Sequence, residues 1–185
     1  MKALVVLSNG SEELESITII DLLVRAGITV TTATINETLT NKCSRGVTIV
    51  ADKYLKECNE QYDVIALPGG LGGAKAFAEH KELMKMLKDQ LEANRFVAAV
   101  CATPAVALEA NGIINGRKAT CYPSFHDKIV NQEAVKQRVV VDNHLITSQS
   151  PGSSIEFTLE IIRQLKGEEV MREVEKGLVL NFNYQ

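Results

Sequence analysis

Short runs of apolar and β-branched residues recur along this chain, each closed by a glycine or polar turn and most followed by a helical stretch, and that alternation leaves few folds open. Lys2-Ala3-Leu4-Val5-Val6-Leu7 reads as a first strand. Asn9-Gly10 then turns into a helix capped by Ser11 that runs through Leu14, Ile17, Ile20 and Leu23 to Gly27, and residues 28–34 form a second strand. A strand-helix-strand opening with β-branched or apolar residues at nearly every strand position belongs to a parallel sheet covered on both faces. The pattern predicts further strands at 47–50 and 63–67, a surface helix over 80–94 with Leu83, Met86, Leu87 and Leu91 on one stripe, and a buried strand Phe96-Val97-Ala98-Ala99-Val100. Residues 117–121, 138–141 and 145–147 read as short strands, 153–166 as a helix ended by Gly167, and 168–176 as one more helix, while 181–185 form a tail without periodicity. With 185 residues and 45% hydrophobic content, the expectation is one α/β domain over residues 1–185, its central sheet mostly parallel and sandwiched by helices.

Composition excludes several classes of function. A net charge of -3 with interspersed signs provides no basic stripe of the kind that tracks phosphates, so no dedicated nucleic-acid surface is expected. The apolar run at 3–7 is too short for a signal-peptide core, and no run approaches the length of a membrane span, so a cytoplasmic protein with no membrane partner is expected. Cys43, Cys58, Cys101 and Cys121 show neither C-x-x-C spacing nor a histidine at zinc-finger distance; free thiols are expected, with no metal and no cofactor.

The apolar run 96–100 stops at Cys101, and a helix is set to start just beyond, with Thr103 as N-cap and Pro104 as its first residue. Strand, sharp turn and helix make the geometry of a nucleophile elbow. Backbone N–H groups at the coming helix end would stabilise a thiolate and lower the thiol pKa below its free value of ~8.5. A buried structural cysteine is the competing reading.

Two other strand ends carry unusual residues, and in a doubly wound sheet such ends converge on the ligand site. Pro68-Gly69-Gly70-Leu71-Gly72-Gly73 follows the strand at 63–67, and its glycines let backbone N–H groups approach a ligand or an oxyanion; a simply tight turn is the alternative. It is no dinucleotide loop, because Lys75 stands where G-x-G-x-x-G counted from Gly70 needs glycine. At the other end, Glu12, Glu13 and Glu15 crowd the start of a helix. The helix dipole accounts for Glu12 and Glu13. Glu15 lies about one turn in, and it either faces water or faces the sheet. If it faces the thiol, a charged carboxylate would raise the cysteine pKa, so the useful form is a protonated carboxyl donating to the thiolate, which requires a raised glutamate pKa. No histidine is placed to act as base: His80 opens a helix, His144 sits in a turn, and His126 beside Asp127 is the sole loop candidate.

Together these pieces resemble the ThiJ/PfpI superfamily, most closely its DJ-1 and YajL branch. The resemblance rests on Gly10-Ser11-Glu12-Glu13-Leu14-Glu15, Cys43-Ser44-Arg45-Gly46-Val47, Tyr62-Asp63-Val64-Ile65 with Leu67-Pro68-Gly69-Gly70, Ala98-Ala99-Val100-Cys101-Ala102-Thr103-Pro104, and Thr147-Ser148-Gln149-Ser150-Pro151-Gly152. It implies a flavodoxin-like (class I glutamine amidotransferase-like) sandwich, a homodimer, Cys101 as a readily oxidised nucleophile, Glu15 as its protonated partner, and an oxyanion hole from the backbone N–H groups of Gly70 and Ala102. Gly69, Thr103, Tyr122 and Gln149 are the pocket positions it implies. Where the peptidase-like branch has histidine after the nucleophile, this chain has Ala102; where glutaminase relatives have flanking glycines, it has Ala99 and Thr103. Tyr122 replaces a pocket histidine found in some close members, and Gln149 replaces a second arginine.

Two functions follow as expectations. One is a cofactor-independent glyoxalase or deglycase, a hydrolase or lyase that acts on small aldehydes such as methylglyoxal through the Cys101 thiolate. The other is a redox sensor or chaperone in which oxidation of Cys101, held at the sulfinic stage by Glu15, changes the dimer surface. Cys43 reads as a plain buried thiol, a second redox site or a dimer contact.

Overall fold

Alternate residues of the first strand, β1 (Lys2–Leu7), are buried on opposite faces, Leu4 and Val6 in one apolar cluster and Ala3, Val5 and Leu7 in another. A strand buried on both sides must lie inside a sheet with two covers, and a computed structural model of the chain, which describes residues 1–180, has that architecture. After β1 come α1 (Glu13–Arg25), β2 (Thr29–Thr34), β3 (Thr40–Lys42), β4 (Thr48–Val50), β5 (Lys53–Tyr54) and β6 (Val64–Leu67). Helices α2 (Leu71–Glu79) and α3 (Lys81–Glu92) lead to β7 (Phe96–Val100), a π-helix (Pro104–Glu109), β8 (Val139–Asp142), β9 (Leu145–Ser148), α4 (Ser154–Lys166) and α5 (Glu168–Leu178). Seven strands form one sheet in the order β5-β2-β1-β6-β7-β9-β8, parallel except for the antiparallel β8–β9 pair. Phe77 of α2 and Leu83 and Leu87 of α3 cover one face; Ile19 and Leu23 of α1 with Phe157 and Ile161 of α4 cover the other. Each such side chain contributes about 1.5–3 kcal/mol on leaving water. The mostly parallel α/β sandwich expected from the sequence is therefore the fold.

From β1 the chain steps outward to β2 and β5, then returns across β1 to β6 and β7. Strand order thus reverses between β1 and β6, and the carboxyl ends there form the crevice in which ligands bind doubly wound sheets.

Several local expectations need correction. Helix α1 is capped by the Glu12 carboxylate, which accepts from Glu15 N at 2.8 Å, while Ser11 Oγ turns back to accept from Ser8 N. Its core stripe is Glu15, Ser16, Ile19, Leu22 and Leu23; Leu14 and Ile17 are 52% and 48% exposed. Strand β4 pairs with β3 in a separate antiparallel hairpin, and the glycine run continues into α2. Residues 117–121 form no strand because side chains take backbone donors there: Asp142 Oδ2 accepts from Lys118 N, and Thr147 Oγ1 from Thr120 N. The tail at 181–185 lies outside the described residues.

Candidate active site

Val97 and Ala99 of β7 belong to the α2–α3 cluster, Ala98 and Val100 to the α1–α4 cluster, so simple alternation would send Cys101 toward α2 and α3. It does not go there. Cys101 has φ of 64°, in the left-handed region, and its side chain packs on the α1–α4 side with Val100. Asn94, Asn115 and Asn143 share such a φ, as asparagine does in turns, but cysteine has no local hydrogen bond to favour it. Backbone hydrogen bonds hold the elbow instead: Cys101 N donates to Ser148 O at 3.0 Å, and Tyr122 N donates to Cys101 O at 2.7 Å. Thr103 does not cap the following π-helix; its Oγ1 donates to Pro68 O at 2.7 Å and ties the elbow to the loop after β6.

The flipped cysteine faces Glu15, which is 0% exposed. Gly69 N donates to Glu15 Oε2 at 2.5 Å, whereas Oε1 has no partner. Gly69 is the spacer between the two groups: a Cβ there would collide with Cys101 Cβ and lie 2.8 Å from Glu15 Oε2. Gly70, at φ of 82°, presses its Cα against the turn after β1, where a Cβ would overlap Gly10 O and stand 2.8 Å from Glu12 N. Glu12 N donates to Gly69 O at 2.9 Å and locks the two loops together.

Burial pushes the Glu15 carboxyl up to about 7, with the charge of Glu12 adding to it and the Gly69 N–H and Cys101 thiol opposing. Burial and the Glu15 charge push the Cys101 thiol up to about 12, against the backbone N–H groups of Gly70 and Ala102, which favour thiolate. This corrects the expected depressed thiol pKa: burial first, and then an ionised Glu15, outweigh the Gly70 and Ala102 N–H groups. The thiolate becomes favourable when Glu15 carries the proton, since the like charge is then gone and a donor stands in its place. Cys43 and Cys121 are buried away from any such donors and are pushed up to about 11 and about 12.

A cavity of about 500 Å³ opens over Cys101, lined by Glu12, Arg45, Gly70, Leu71, Ala102 and Tyr122, with Ser44, Ser124, Phe125 and Pro151 completing the rim. Of the residues expected from the sequence, Cys101, Gly70, Ala102 and Tyr122 meet here and Glu15 lies directly behind the sulfur. Gly69 and Thr103 support the site from within the protein without lining the cavity, and Gln149 does not reach it. His126 turns its ring to Cys121 O at 3.2 Å and lines no part of it. The sequence reading missed Arg45, Leu71 and Phe125. It also missed Glu13, which is buried and does more than meet the helix dipole: its carboxylate accepts from Arg45 N at 2.8 Å, Val47 N at 3.3 Å and Ser44 Oγ at 3.1 Å, and so sets the 44–47 wall of the cavity.

Comparison with known proteins places this arrangement in context. Residues 1–164 match the model of the DJ-1/PfpI family. Protein DJ-1 homolog B of Arabidopsis thaliana is 45% identical over 179 residues, covering 96% of this chain, which spans only 40% of that longer protein. A Caenorhabditis elegans protein named glutathione-independent glyoxalase DJR-1.2 is 36% identical, with 92% of this chain and 91% of that one covered. The structure of oxidized DJ-1 from Toxoplasma gondii superposes with a TM-score of 0.94 at 39% identity, covering 98% of this chain and 99% of that one.

Proposed function

This chain belongs to the DJ-1/PfpI family, and from that premise we propose that it is a cofactor-independent, cysteine-dependent glyoxalase in which Cys101 is the nucleophile and Glu15 the acid-base group. The observation that carries the reading is a strained Cys101 at the cavity beside Gly70 and Ala102, with the buried Glu15 carboxyl set against it across Gly69 and pushed up to about 7. In the reaction the Cys101 proton passes to Glu15, and the thiolate attacks the aldehyde carbon of a 2-oxoaldehyde. The carbonyl electron pair moves to oxygen, which the Gly70 and Ala102 N–H groups stabilise, and Glu15 returns the proton to give a hemithioacetal. The Glu15 carboxylate then removes the hydrogen from that carbon and delivers it to the neighbouring carbon through an enediol, leaving a thioester of a 2-hydroxy acid. Water adds to the thioester and the thiol leaves with a proton. One carbon is oxidised and its neighbour reduced, so the sum is 2-oxoaldehyde plus water to 2-hydroxy acid, with no external redox partner. Drawing free carbonyl away from reversible adducts with amines or thiols is the same chemistry described as deglycation.

A homodimer in the cytoplasm completes this reading, with the exposed apolar stripe of α1 as its contact.

The decisive test is lactate formation from methylglyoxal without glutathione or metal, with the oxidation state of Cys101 followed by intact mass. Cys101→Ser is expected to lower the rate by about a thousandfold or more. Absence of turnover from fully reduced native protein would sink the proposal. In that case the redox-sensor or chaperone reading takes over. It is favoured by Cys101 being the one free thiol, among the described residues, that is not fully buried.

A further inference from the structure

Two large apolar side chains that most folds would cover stand open at the cavity mouth: Leu71 is 47% exposed and Tyr122 42% exposed. Both are fixed to the reacting sulfur by a single backbone step. Leu71 follows Gly70, which lines the cavity with Cys101, and Tyr122 is hydrogen-bonded through its own N–H to the Cys101 carbonyl. Phe125 stands beside Tyr122 with ring centroids 6.3 Å apart and planes at 55°, a tilted aromatic pair whose free side faces the cavity, and Pro151 continues the apolar rim. The charged groups, Glu12 and Arg45, lie with Ser44 on the wall formed by the loops after β1 and β3, and Ser124, between Tyr122 and Phe125 in the chain, is the one polar side chain on the opposite rim. A cavity of about 500 Å³ falls within the ~300–1,000 Å³ range of sites that enclose drug-sized ligands, whereas a three-carbon dicarbonyl would leave most of it filled with water.

From this we infer that the preferred substrates are 2-oxoaldehydes bearing an aryl or bulky apolar group, seated between Leu71 and the Tyr122–Phe125 pair. The inference rests on the glyoxalase reading and specifies its substrate class. With the aldehyde carbon at Sγ and its oxygen toward Gly70 and Ala102, the group on the second carbon points outward into the apolar mouth. For phenylglyoxal the balance is unchanged: Sγ adds to the aldehyde carbon, Glu15 moves that carbon's hydrogen to the benzylic carbon, and water releases mandelate.

The test compares kcat/KM for phenylglyoxal, read as mandelate, with that for methylglyoxal, read as lactate, in the native protein and in Tyr122→Ala, Leu71→Ala and Tyr122→Phe. Native protein is expected to favour phenylglyoxal by about tenfold or more, the two alanine variants to lose about tenfold of that preference through KM, and Tyr122→Phe to keep it. Turnover of both substrates without a preference in native protein, or an unchanged preference in Tyr122→Ala, overturns the aryl assignment and leaves the Cys101 chemistry standing. Turnover of neither substrate by fully reduced protein removes the glyoxalase reading and this inference with it. Because both side chains are nearly half exposed and neither belongs to a core cluster, their removal is not expected to unfold the chain.

Discussion

A cysteine held at φ of 64° costs about 1–3 kcal/mol, and the elbow keeps that strain because it turns the sulfur from one face of the sheet to the face where Glu15 is buried. Once there, the two groups titrate as a unit. The first proton leaves near the Glu15 value of about 7, and the second is held back toward the Cys101 value of about 12 because two charges cannot share so dry a site. Across the interval the pair carries one proton, and in the proposed mechanism the reactive form is the one in which Glu15 holds it. Alkylation of Cys101 by iodoacetamide should therefore rise with an inflection near neutrality and then level off. In Glu15→Gln the amide cannot accept the proton and the thiol must ionise alone in a buried site, so the inflection should move upward and turnover fall by about a hundredfold. An unchanged pH profile with unchanged turnover would remove Glu15 from the mechanism.

At the scale of elements, the loops after β1 and β6 touch backbone to backbone, and glycine makes that contact possible. In Gly70→Ala a methyl group would have to displace Gly10 O at a φ of 82° that alanine resists, and the N–H that faces Sγ would move with it. Urea unfolding should show a loss of more than about 1 kcal/mol, and kcat should fall more than KM rises, because the lost donor acts on the developing oxyanion. A native-like stability and kcat would show that the glycine contact is dispensable. These elements were unequally legible in the sequence. The strands of the sheet announced themselves because burial on both faces demands continuous apolar runs, and the Cys101 junction and Glu15 followed from their places at strand ends. The orientation of α1 was hidden, since Leu14 and Ile17 are as apolar as the Ile19 and Leu23 that the core takes. Helix α2 was masked by its glycines, and 117–121 has strand composition but no ladder, because Asp142 and Thr147 supply its acceptors from distant positions. Arg45, Leu71 and Phe125 come to the cavity from three separate segments, a convergence that spacing along one chain does not encode.

For the whole molecule, five of the large apolar residues left exposed fall on α1 and the hairpin segment that adjoins it. Leu14, Ile17 and Val24 form one stripe along the outer side of α1, 52%, 48% and 56% exposed, and Val47 and Val50 of the adjoining hairpin segment are 49% and 66% exposed. Glu13 joins the two regions, because the carboxylate at the start of α1 accepts from Val47 N. Exposed apolar side chains grouped in this way point to a partner surface, and a second copy of the same chain is the occupant that fits the proposed homodimer. The same loop from 44 to 47 that borders this face also supplies Ser44 and Arg45 to the cavity, so pairing of two copies would hold one wall of each site in place. Ile17→Glu puts a charge in the centre of the stripe without touching the core. It should convert a dimer to a monomer in sedimentation-velocity experiments at micromolar protein, leave the far-ultraviolet circular dichroism unchanged, and raise KM more than it lowers kcat, since the wall loosens while Cys101 and Glu15 stay on their own strand and helix. Native protein that sediments as a monomer would refute the pairing, and a monomeric variant with native KM would show that each site is complete within a single chain.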